Sequence, residues 1–114
     1  MAQFMLLIRG GDEAFAQFTP EQMEQTLGQY FAWSDRLRKE GRLVGADQLA
    51  DGGRTVRSRD GQLVIDGPFT ETKDAVGGYY QIEAADEAEA AEIAKGCPVL
   101  NHGGLVEVRG IVQH

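Results

Sequence analysis

The chain has 114 residues, 42% hydrophobic and 25% charged, with a formal net charge of -7, which is room for one domain (1–114) around one core. The negative balance repels a phosphate backbone, and the basic residues are dispersed apart from Arg36, Arg38, Lys39 and Arg42 at one helix end and Arg54, Arg57 and Arg59 in one hairpin, which argues against nucleic acid as a partner. No apolar run approaches the roughly 18 residues of a membrane span, and Met1-Ala2-Gln3-Phe4 lacks the basic and long apolar regions of a secretory signal, so the expected location is the cytoplasm, away from any membrane.

Gln3 to Arg9 reads as a first strand, with Phe4, Leu6 and Ile8 on one face and Met5 and Leu7 on the other. Both faces are apolar. Material for two helices covers one face of a sheet from within, so the second face calls for a partner subunit; this is a sequence argument for a homodimer. Gly10-Gly11-Asp12-Glu13 breaks the strand, and Phe15 and Phe18 are expected to anchor a loop. Thr19-Pro20-Glu21-Gln22 then starts a helix: Thr as N-cap, Pro at the first helical position, and Gln three residues after the cap. Met23, Leu27, Tyr30, Phe31, Ser34 and Leu37 recur at helical spacing and are expected to form the core stripe, ending at Glu40-Gly41. Trp33 falls beside the centre of that stripe; a helix edge, a dimer contact and a ligand-stacking group all remain open for it.

Leu43 to Leu49 reads as the second strand. Thr55 to Arg59, the turn Asp60-Gly61 and Gln62 to Asp66 make a hairpin with a strong turn signal, which sets Arg57 near Val64 and Thr55 near Asp66. Gly77 to Ala84 is a further strand, Tyr80 and Ile82 on one face, Tyr79, Gln81 and Glu83 on the other; the second face meets water or lines a polar cleft. Asp86-Glu87-Ala88-Glu89 caps a second helix with Ala90, Ile93 and Ala94 as its apolar face, ended by Gly96 and Pro98. Cys97, the single cysteine, forms no internal disulfide and reads as a small buried thiol. Gly103 to Val112 is the last strand. The order is that of an α+β, ferredoxin-like βαββαβ unit with an inserted β-hairpin.

The stretch from Ile65 to Lys73 is the least explained by packing. Asp66-Gly67-Pro68 forces a tight turn, and Asp66, Thr70, Glu71, Thr72 and Lys73 crowd polar function beside one apolar anchor, Phe69. Candidate acid–base residues are Asp66, Glu71 and His102, with Lys73 or Arg57 to stabilise negative charge. A binding cleft would instead use Arg57, Phe69, Tyr79 and Tyr80. There is no glycine-rich phosphate loop and no zinc-ligand spacing, so no cofactor and no metal is expected.

Asp66-Gly67-Pro68-Phe69-Thr70-Glu71-Thr72-Lys73, followed by Gly77-Gly78-Tyr79-Tyr80 and the ending Gly103-Gly104-Leu105-Val106-Glu107-Val108-Arg109, resembles the DGPF-domain, YCII-related family, and the likeness runs from Phe4-Met5-Leu6-Leu7-Ile8 to Arg109. The resemblance implies a ferredoxin-like fold pairing face to face as a dimeric α/β barrel. It also implies an association with sigma factors of the extracytoplasmic type, as a regulatory partner. A His-Asp pair in the N-terminal half, which the resemblance further implies, has no counterpart here, because no histidine precedes His102. Three classes of function follow: an acid–base enzyme, a non-catalytic small-molecule binder and a protein-interaction module.

Overall fold

The computed structural model describes residues 1–67 and 75–114. Along the chain run β1 (Ala2–Arg9), α1 (Asp12–Ala16), α2 (Pro20–Lys39), β2 (Leu43–Gln48), β3 (Thr55–Arg59), β4 (Gln62–Asp66), β5 (Val76–Ala84), α3 (Glu87–Ala94), a 3-10 turn (Pro98–His102) and β6 (Leu105–Gly110). The alternation in β1 decides the layout. Phe4, Leu6 and Ile8 are buried while Met5 and Leu7 are half-buried, so β1 presents one face to the helices and leaves the other open. It lies inside an antiparallel sheet of order β2-β5-β1-β6, and β3 and β4 form a separate two-stranded sheet. Without the hairpin and the short α1, this is the expected ferredoxin-like α+β arrangement.

The core lies between the sheet and its helices: Phe4, Leu6, Ile8, Tyr80, Ile82 and Ala84 from the strands, Trp33 and Leu37 from α2, Ala90 and Ala94 from α3, and Cys97 and Val99 beyond it. Leu6 and Ile82 are fully buried, each contributing about 1.5–3 kcal/mol relative to exposure. One polar pair closes this layer, Ser34 Oγ and the Tyr80 hydroxyl at 2.6 Å. Burial pushes the Cys97 thiol above its ordinary pKa, and the Tyr30 phenol rises too, by burial first and by the neighbouring Cys97 second. The thiol is therefore protonated and unreactive at neutral pH.

Thr19 caps α2 as its sequence requires, its hydroxyl accepting from the Gln22 N–H while the Gln22 side chain accepts from the Thr19 N–H. The buried face of the helix is rotated from the expected stripe. Thr26, Trp33 and Leu37 point inward, whereas Met23 and Leu27 are exposed and Phe31 is 68% exposed. The reason lies at the end of α3. Gly96 has no side chain, and a Cβ there would stand 2.7 Å from Trp33 Nε1, so the indole enters the core across that glycine and packs, tilted by 41°, against Tyr80 with ring centroids 4.4 Å apart. Trp33 is thus a core residue.

Three further differences are local. The expected loop after β1 contains α1, with Asp12 and Glu13 at its positive end and Phe15 edge-on to Phe18 at 5.3 Å. The Pro98–His102 turn separates α3 from β6, which ends at Gly110 rather than Val112. The acidic cap of α3 is also displaced: Asp86 accepts from the Glu89 N–H, but Glu89 accepts from Ala85, one residue before the cap, and from Arg42.

Candidate functional site

The open face of the sheet gathers polar side chains that the core face lacks. Register places them in two rows across the strands. One row reads Asp47, Tyr79, Leu7 and Glu107; the next reads Gly45, Gln81, Met5 and Arg109. Each strand contributes every second residue, so the alternation that fills the core on one side sets this array on the other.

Glu107 is the hub at the β1–β6 side. Arg9 donates to its Oε1 from Nε at 3.3 Å and from Nη2 at 3.2 Å, and Arg109 donates to Oε2 at 3.4 Å. Two guanidinium groups thus share one carboxylate. These side chains are partly exposed, so each pair is worth about 0–1 kcal/mol and readily exchanges partners with an incoming anion. At the β2–β5 side an acid meets a phenol. The Tyr79 hydroxyl donates to Asp47 Oδ2 at 2.8 Å, and that hydrogen bond, ahead of the carboxylate's charge, raises the phenol above its ordinary value. Gln81 donates to Gln3 Oε1 at 2.8 Å between the two sides. Gly45 leaves a gap in this array: a Cβ there would have nothing within 4 Å. Half-buried Met5 and Leu7 form the apolar floor.

The residues singled out by sequence fall in different places. Asp66 ends β4 and sits in ion pairs with Arg57 Nε at 3.1 Å and Arg59 Nη2 at 3.6 Å, so Arg57 faces the carboxylate the hairpin register puts beside it. His102 lies at the other end of the chain's path, packed on Phe18 and Phe15 with centroids 5.0 and 5.6 Å away; its Nε2 is buried with no hydrogen-bond partner among the described residues. Asp66 and His102 are thus held on separate elements by separate partners. Tyr79 opens onto the polar face, while Tyr80 is buried on the core side with Ser34. Phe69, Glu71 and Lys73 lie outside the described residues.

Arg9, Asp47, Glu107 and Arg109 were not among the sequence candidates. The alternation within β1 and β6 is the signal that could have found them, since it assigns Arg9 to the side of Met5 and Leu7. Among the described residues, no group of three or more His, Cys, Asp and Glu side chains is placed to hold a metal, and no helix is long and apolar enough to cross a membrane. A family model described as YCII-related domain matches residues 2–114, and a comparison with curated proteins finds no match.

Proposed function

Since the chain belongs to the YCII-related domain family, we propose that it acts as a homodimer that binds a small carboxylate-bearing molecule against the open face of its sheet. The observation that carries this reading is that Arg9 and Arg109 both donate to the Glu107 carboxylate on a face that the described helices do not cover. A ligand carboxylate competes for those guanidinium groups in a fork geometry, its body lies on Met5 and Leu7, and the Tyr79–Asp47 pair and the gap at Gly45 bound its far end. The stretch from Asp66 to Lys73 adjoins this site in sequence. β5 starts at Val76, three residues after Lys73, and Val76 pairs with Arg9.

Charge favours the dimer. Arg9 and Arg109 flank Glu107 on one side of the face, two bases to one acid among these three, while the acids Asp47 and Glu83 lie on the strands of the other. A two-fold axis along the strands brings the basic side of one copy over the acidic side of the next and sets β2 beside the partner's β6. Because β2 runs parallel to β1 and β6 antiparallel to it, these edges meet antiparallel, and both are six residues long. Such pairing closes the two sheets into a barrel and removes both free edges. Binding is favoured over acid–base catalysis because Asp66 is already engaged by two arginines.

The test combines sedimentation with ligand titration. Wild-type protein is expected to sediment as a dimer and Met5→Lys as a folded monomer, since the substitution puts a charge in the middle of the shared face. Small mono- and dicarboxylates are expected to raise the melting temperature of wild type but not of Arg109→Gln, and substrate turnover is not expected. A wild-type monomer whose melting temperature no carboxylate moves would sink the proposal.

A further inference from the structure

The hairpin is built to be covered, and the described residues of its own chain leave one face of it open. Its register puts Val56 opposite Ile65 and Ser58 opposite Leu63 on one face, and Thr55–Asp66, Arg57–Val64 and Arg59–Gln62 on the other. The second face carries the ion pairs of Arg57 and Arg59 with Asp66. The first is apolar and open, with Val56 and Ile65 63% exposed and Leu63 80% exposed. Period-two alternation of this kind marks a strand pair with one face against a core. An isolated two-stranded hairpin is at best marginally stable in water.

The radius of gyration is 16.0 Å, against about 13 Å for a compact chain of this length. The protein extends 48 × 44 × 18 Å, a flat and extended outline, and β3 and β4 make their main contacts with each other rather than with the four-stranded sheet. Gly52 and Gly53, both in left-handed conformation at φ 90° and 100°, turn the chain out of β2 toward the hairpin.

We propose that the β3–β4 hairpin is an intersubunit arm, its Val56–Leu63–Ile65 face covered by a second copy of this chain. The inference rests on the dimer described above, and two observations select a second copy as occupant. The first is area. Four strands about 4.8 Å apart and about 20 Å long give the shared sheet face a projected footprint of roughly 400 Å², over which the accessible area is larger; a standard interface removes roughly 800 Å² of accessible surface from each partner, and the arm extends the contact toward or beyond that size. The arm's apolar patch is a few hundred Å², the size of the largest, often functional, patch on a monomer. The second is continuity. With β2 antiparallel to the partner's β6, Gln48 at the end of β2 stands beside the start of the partner's β6, and the arm leaves from that point. Exposed apolar side chains wait there: Leu105 opens β6 at 52% exposure, and Leu100 of the preceding turn is 42% exposed. Reciprocal arms would bury both sets twice in one two-fold dimer.

The experiment places a photo-crosslinking benzoylphenylalanine at Leu63 and mixes that protein with a tagged wild-type copy, so that transfer between copies gives a band of distinct mass. A companion variant, Val56→Thr/Leu63→Thr/Ile65→Thr, keeps strand-forming residues and touches nothing in the core, so it is expected to fold with unchanged far-ultraviolet circular dichroism. Crosslinks to the tagged copy, and a dimer dissociation constant raised at least ten-fold in the triple variant, support the arm. Crosslinks confined to the carrier chain, or a triple variant that dimerises like wild type, overturn it while leaving the sheet-face dimer standing. A wild-type monomer overturns both.

Discussion

Replacing Gly104 by alanine tests how the last strand is locked to the first. A Cβ at Gly104 would stand 2.3 Å from Val99 Cγ2 and 2.8 Å from the Arg9 carbonyl oxygen, whereas comfortable carbon contacts are about 3.5–4.0 Å. Neither neighbour has room to retreat. Val99 is fully buried, its carbonyl accepts from the Gly104 N–H at 3.1 Å, and the Arg9 oxygen is backbone where β1 meets β6. Overpacking costs about 1–3 kcal/mol, and a clash against immobile backbone belongs at the top of that range. With an unfolding entropy near 2.1 cal/mol/K per residue, about 3 kcal/mol lowers the melting temperature by about 12 °C. Two other glycines separate steric from conformational cost. Gly103 has open space but φ 81°, so Gly103→Ala should cost about 1–2 kcal/mol; Gly45 has open space and no positive φ, so Gly45→Ala should stay within about 0.5 kcal/mol. Calorimetry and urea unfolding of the three variants give the order directly. A Gly104→Ala protein within 0.5 kcal/mol of wild type, or one less destabilised than Gly103→Ala, would refute the packing argument.

Ser34→Ala leaves the buried Tyr80 hydroxyl without its partner and should cost about 1–3 kcal/mol in urea unfolding; in a Tyr80→Phe background the same change should cost less, and equal costs would deny the coupling. All three tyrosines, Tyr30, Tyr79 and Tyr80, titrate above the ordinary value of 10.0, so native protein at pH 10.0 should show less phenolate absorbance than unfolded protein. The unfolded chain then binds fewer protons, so stability should fall as pH rises through 10.0, and an unchanged urea midpoint across that range contradicts it. Glu89 titrates below its ordinary 4.5 because the Ala85 N–H and then Arg42 favour its carboxylate, so its contribution is present above pH 4.5 and lost as pH falls through the lower folded value. The stability gap between wild type and Glu89→Gln should therefore close in acid, and a gap independent of pH would exclude this cause.

The readable parts of this protein were those fixed by short-range geometry. In β1 the side-chain period of two separates Phe4, Leu6 and Ile8 from Met5 and Leu7 whatever the surroundings, and the Asp60-Gly61 turn alone sets Thr55 against Asp66. Helix α2 was harder, because it carries two adjoining apolar stripes. Met23, Leu27 and Phe31 lie next to Thr26, Trp33 and Leu37, and the choice is made by Gly96, a residue more than fifty positions beyond the helix. The open-face array was harder still. Arg9 and Glu107 are 98 residues apart, and no local pattern says which strands become neighbours. Arg57 and Asp66 could be paired from sequence because one tight turn joins their strands.

The position of β1 bears on how this chain is made. It is synthesised before both of its neighbours, β5, ending at Ala84, and β6, ending at Gly110. Both ladders close loops many tens of residues long, the kind of distant pairing that slows folding. β1 therefore waits, with its ladder groups unpaired, until β5 and then β6 have been synthesised. A message cut short before Leu105 yields a chain whose most apolar strand keeps one edge without its ladder partner.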